Sequence, residues 1–113
     1  MRQRFAQQMK KGALDMLVLK LLEHEEKYGY QLIGELCERS GGTVSLKEGT
    51  LYPILYRMED NGLVASRLAA KTAKEPARKY YAVTERGRTA LAEMYAVWNE
   101  FDRCVPSIME EER

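Results

Sequence analysis

Tyr52, Tyr56 and Arg57 sit in the segment EGTLYPILYRMEDNGLV (48–64), and Lys71, Lys74, Arg78 and Lys79 follow soon after it. These side chains form no bond-making set. Tyrosine hydroxyls and a guanidinium instead donate hydrogen bonds to base edges and phosphate oxygens, and Lys and Arg neutralise a phosphate backbone. Leu51, Leu55 and Met58, helped by Ile54, recur at helical spacing. A helix here buries that stripe and leaves Tyr52, Tyr56 and Arg57 on a face it does not need for packing. Asn61-Gly62 stops it and a strand follows. Lys47 and Thr50 lie near its start, where backbone N–H groups and the helix dipole favour an anion. The plainer alternative is a solvated helix face, with the tyrosines half packed on the preceding helix and basic residues that only confer solubility. Salt separates the two: six phosphate neutralisations give a slope of roughly five logs of affinity per log of salt.

No Ser, His and acid combination, phosphate-binding glycine loop or carboxylate dyad is present, so catalysis has no residues to rest on. Cys37 and Cys104 lack metal-ligand spacing, and no metal or cofactor is expected. A cross-subunit disulfide at Cys104 is the less favoured reading beside a free thiol. At 113 residues the chain suits one compact domain with a real core. No apolar run approaches the ~18 residues of a membrane span. The longest, Leu14 to Leu22, is broken by Asp15 and Lys20, and MRQRFAQQMKK lacks the apolar core of a signal peptide. A cytoplasmic protein with no membrane partner is expected. Net charge is only +1, but it is unevenly spread. Arg2, Arg4, Lys10 and Lys11 have no acid among them, and 67–88 is strongly basic, whereas acids gather at Glu23, Glu25, Glu26 and in the tail. Such separation predicts a basic face.

The elements that position these residues can be read in order. Residues 3–26 read as one helix, with Leu14, Leu17, Val18, Leu21 and Leu22 inward. Phe5 and Met9 are isolated near its start, as if reaching toward a partner. Residues 28–39 read as a second helix, opened by Tyr28-Gly29-Tyr30 and closed by Ser40-Gly41-Gly42, with Leu32, Ile33 and Leu36 on one side. Thr43-Val44 reads as a short extended piece. Ser45 and Glu48 have capping-box spacing, which starts the third helix near Leu46 and puts Pro53 deep enough to clash with the carbonyl of Gly49. Alternatively Thr50 is the cap and Pro53 falls in the first turn; both remain open. Leu63–Leu68 and Lys79–Val83 read as paired strands, with Tyr81 and Val83 inward and Tyr80 and Ala82 outward. Their connection is too long for a tight turn and should project.

Thr84 should cap a last helix running to about Met109. Along it Leu91, Met94, Trp98, Phe101, Val105 and Ile108 step by three and four, a heptad seam that calls for another helix. A symmetric homodimer supplies one most simply. Pro106 should bend or end the helix. The order of elements gives a mainly α chain with a small β-hairpin: a winged helix-turn-helix over 1–84, whose first helix also serves the dimer, and a long C-terminal dimerisation helix over 85–113.

The strings KGALDMLVLKLL (11–22), YGYQL (28–32), LYPILYRMEDNGLV (51–64) and ARKYYAVTERGR (77–88) resemble the PadR family of transcription regulators, in its short form with a single C-terminal helix. The resemblance covers about 11–103. It implies a homodimeric repressor whose second and third helices and wing contact operator DNA, and whose last helix packs on the partner's first and last helices. It also implies, from multidrug-sensing members, a ligand platform at the dimer centre, for which Trp98 stands in the matching stretch MYAVWNEFD. On residue chemistry alone Trp98 is an interface anchor or a platform for a small aromatic effector, with Met94 and Phe101 as its apolar wall and Asp102 facing either a cationic ligand or solvent. Tyr30 is read as a phosphate contact through its hydroxyl, and Tyr28 as core. Two wings spaced by such a dimer would read an inverted-repeat operator.

Overall fold

The computed structural model describes residues 1–111. Its elements run α1 (Arg2–Lys10), α2 (Leu14–Leu21), β1 (Lys27–Tyr28), α3 (Gly29–Arg39), α4 (Glu48–Asp60), β2 (Val64–Ala69), β3 (Arg78–Val83) and α5 (Glu85–Met109). The sheet is antiparallel in the order β1-β3-β2. This is a winged helix-turn-helix with a long helix appended.

The core forms where α2, α3 and α4 turn their apolar stripes toward the sheet. Val18, Leu19, Leu22, Leu32, Leu51, Leu55, Met58 and Tyr81 are fully buried. Each such side chain contributes about 1.5–3 kcal/mol through removal from water. The wing packs on this core through β3, and α5 joins it only through its first turns, where Leu91 is buried and Met94 half-buried. Beyond them α5 runs out from the head, which gives the molecule its 66 Å long axis.

The last helix starts where the sequence sets it. Thr84 Oγ1 accepts a hydrogen bond from the Gly87 amide at 3.0 Å and donates to the Gly62 carbonyl at 2.6 Å, so one hydroxyl caps α5 and ties it to the end of α4. Gly87 lies directly against the backbone carbonyl of Leu63, with Val83 beside it. Any side chain here would hold α5 away from the corner between α4 and β2.

Several sequence expectations are corrected. The helix expected over 3–26 is two: the chain turns at Lys11–Ala13, and α2 ends at Leu21 because the following residues lead into β1. That strand is absent from the sequence reading; its two residues pair with Tyr81 and Tyr80. Tyr80 is buried on the face expected to be open, because Tyr28 meets its ring edge-on at 5.5 Å and Lys71 lies over it. Thr43-Val44 is not a strand, although Val44 is buried. Ser45 does not cap α4, which begins at Glu48 with Lys47 at its N-cap. Neither reading of Pro53 holds as stated: the helix continues through it as an interior residue. Pro106 does not end α5 either, which continues to Met109.

Candidate nucleic-acid interface

Helix α4 buries Leu51, Ile54, Leu55 and Met58 and so turns its remaining face outward. Thr50, Pro53, Tyr56 and Arg57 are exposed there, with Lys47 at the N-terminal end. Tyr52 is half-buried. Its hydroxyl end rests on Gly29, where an added Cβ would stand 2.7 Å from Tyr52 Cζ and closer still to its oxygen. Gly29 therefore lets the start of α3 seat against α4. Burial, and then the nearby charge of Glu48, push the Tyr52 hydroxyl pKa upward. The Tyr52 and Tyr56 rings lie 5.9 Å apart, and Tyr30 stands exposed on the first turn of α3. Tyr30 and Tyr56 give α3 and α4 an outward aromatic surface with hydroxyl groups, whereas Tyr52, expected on a face not needed for packing, packs against the core.

The wing carries its cations on both faces. Lys79 Nζ lies 5.4 Å from the centre of the Tyr56 ring and 3.9 Å from Glu59 Oε1, which places it between wing and α4. Leu68, opposite Lys79 in the ladder, is 74% exposed, unusual for a leucine so close to a core. On the other face Arg78 stacks over Tyr28 at 4.5 Å and Lys71 over Tyr80 at 4.4 Å. Lys74 is exposed in the connection between the strands.

Not every expected contact residue is free. Arg57 Nη2 donates to both carboxylate oxygens of Asp15, at 2.7 and 2.9 Å, so its guanidinium is drawn toward α2. Lys71 Nζ donates to Glu26 Oε1 at 3.0 Å. Glu26 also receives Arg67, whose Nε reaches Oε2 at 2.9 Å and whose Nη2 reaches Oε1. The hydrogen bonds from Arg67, then from Lys71, hold the Glu26 carboxyl down at a pKa of about 2. The sequence reading missed Asp15 and Glu26 because both partners lie more than forty residues away along the chain. It also missed Lys27, a buried lysine satisfied by Glu35 at 2.7 Å.

A sequence profile described as the transcriptional regulator PadR-like family matches residues 18–93, more than half of the chain. The chain belongs to the PadR-like family. A PadR-family transcriptional regulator from Eggerthella lenta has a similar structure, with a TM-score of 0.85 and 31% identity over 97% of this chain and 93% of the other. A PadR-like regulator from Bacillus cereus gives 0.76 and 34% identity, covering 93% and 99%. A transcriptional regulator of Mycobacterium tuberculosis is 36% identical over 86 residues, 76% of each chain.

The second set of expected residues lies on α1 and α5, and the end of α1 borders the start of α4, where Lys10 and Lys11 line a groove with Thr50. Helix α1 buries none of its residues, and Phe5 and Met9 are exposed. Met9, Gly12, Ala13 and Met16 line one side of a groove of about 330 Å³, and Met94, Val97, Trp98 and Phe101 the other. Trp98 is 41% exposed, and Phe101, Asp102, Cys104 and Val105 are also exposed. Among the described residues of the seam, Leu91 is buried in the core of the head and Met94 packs half-buried against it. Among the described residues no helix is long and apolar enough to cross a membrane, and no group of His, Cys, Asp and Glu could hold a metal ion.

Proposed function

We propose that this PadR-like regulator is a homodimeric repressor that binds an inverted-repeat operator and is released by a small aromatic effector. The observation that carries the DNA part is the free aromatic face of α4, with Tyr30 beside it and the cationic wing next to it. A helix of this size enters the major groove, where side chains reach base edges, while wing cations contact the flanking backbone. Tyr30, Lys47, Thr50, Tyr52, Tyr56, Lys74, Arg78 and Lys79 are the contact set this reading favours. Arg57 and Lys71 join only after exchanging Asp15 or Glu26 for a phosphate.

Dimerisation is supported by the apolar surface that α1 and the outer part of α5 leave uncovered: Phe5, Met9, Val97, Trp98, Phe101, Val105 and Ile108. Patches of this kind mark interaction surfaces, and a seam at heptad spacing matches a second helix. Residues 1–84 then act as the reading head and 85–113 as the dimer element, with the first turns of α5 fastening the two. An effector held beside Trp98 would act by preferring one spacing of the two heads over another.

Selection of bound sequences from a random DNA pool, combined with sedimentation of the free protein, tests this reading. A two-fold-symmetric consensus and a dimer at micromolar concentration are expected. A monomer, or equal binding of every duplex, refutes it.

A further inference from the structure

Arg67 and Tyr80 face each other across the wing ladder, and Tyr28 faces Tyr80 from the other side. Over this layer one carboxylate, Glu26, gathers hydrogen bonds from two cations, Arg67 and Lys71. A fork from Arg plus a point charge from Lys is also how proteins grip a phosphate oxygen pair.

We propose, building on the DNA-binding reading above, that Glu26 is an internal stand-in for a backbone phosphate. It occupies two wing cations and thereby suppresses sequence-independent DNA binding. Non-specific affinity is almost wholly electrostatic and grows with the number of cations that displace counterions. A cation already paired to a carboxylate displaces fewer. Base-edge contacts from α4 are untouched by this pairing, so the acid lowers non-specific affinity more than operator affinity and widens the ratio between them. The pairs are surface pairs, with Arg67 and Lys71 side chains at least half exposed. Such pairs hold weakly, so a correctly positioned phosphate can take the place of Glu26.

The test is the binding of Glu26→Gln and the unaltered protein to a random-sequence duplex, followed by anisotropy across a salt series. Glu26→Gln keeps the shape of the side chain and removes its charge. Freeing one to two cations should steepen the log–log salt slope by about 0.9–1.8 and tighten binding about 8- to 60-fold at 0.1 M salt relative to 1 M. Adding Arg67→Gln and Lys71→Gln to that variant should return the slope to its starting value. A Glu26→Gln slope equal to or shallower than that of a DNA-binding parent overturns the proposal and leaves the DNA-binding reading standing. Absence of binding by both proteins to every duplex overturns both. A second measurement uses the unaltered protein: the Arg67 Nε–H resonance should shift when duplex is added. An unshifted signal likewise overturns it.

Discussion

Gly87 offers a substitution whose sign separates local helix preference from tertiary fit. It lies in the first turn of α5, where replacing Gly by Ala should stabilise by about 1 kcal/mol on propensity alone. The structure requires the reverse. A Cβ at Gly87 would stand 2.7 Å from Val83 Cγ2 and 3.0 Å from the Leu63 carbonyl carbon, and would overlap the Leu63 carbonyl oxygen. That oxygen cannot move away cheaply, because it accepts a hydrogen bond from the Thr84 amide at 3.0 Å. Overpacking against fixed backbone costs about 1–3 kcal/mol, and this site belongs at the upper end. Offset by the propensity gain, the net loss is about 2 kcal/mol, which at about 2.1 cal/mol/K of unfolding entropy per residue lowers Tm by about 8 °C for a chain of this length. Thermal and urea melts of Gly87→Ala followed by circular dichroism measure this directly. An unchanged or raised Tm would refute the claim that α5 is seated by direct contact with the Leu63 backbone.

Other outcomes follow from the same structure. The Tyr81 hydroxyl is buried without a hydrogen-bond partner and its pKa is pushed up to about 12 by burial, so Tyr81→Phe should stabilise the fold by about 1 kcal/mol, read as a higher urea midpoint. It should also remove the loss of stability that the buried, protonated Tyr81 causes as pH rises from its ordinary 10 through about 12. Glu26 behaves in the opposite sense: its folded pKa of about 2 lies below the ordinary 4.5, so its contribution is present above pH 4.5 and lost as pH falls toward 2. Urea midpoints of Glu26→Gln should accordingly show a flatter acid limb than the parent; parallel limbs would contradict the ion pairs. In the proposed dimer Trp98→Ala should weaken association by at least about 2 kcal/mol, roughly 30-fold in Kd by sedimentation, with the head still folded.

The legible parts of this fold are those set by neighbours in the chain. The α5 start could be read because Thr84 is a local cap, and α3 because Tyr28-Gly29-Tyr30 and Ser40-Gly41-Gly42 bracket it. In α3 the helix-opening bond is also local, from the Tyr28 amide to Gln31 Oε1 at 3.0 Å. What escaped the reading depends on distant partners. Strand β1 is two residues long and exists only through pairing with β3. The inward turn of Tyr80 follows from that third strand, which a two-stranded hairpin does not contain. The break between α1 and α2 falls beside Gly12, a weak helix former, at the point where core contact begins. The outward place of Tyr56 on α4 was readable from spacing, because Leu51, Leu55 and Met58 fix which side is inward, but the half-burial of Tyr52 was not, because it depends on the close approach of Gly29 from α3. The engagement of Arg57 with Asp15 was not, since a sequence marks a residue as basic without saying which acid the fold brings to it.

The attachment of α5 by its first turns alone gives that helix the mechanics of an oar. Its 25 residues extend about 38 Å, with the pivot near Gly87 and Leu91. A tilt of about 5° there displaces the far end by about 3 Å, close to the rise of one base pair. In the dimer proposed above, a modest adjustment of packing at the blade is thereby enough to carry the head out of step with the double helix.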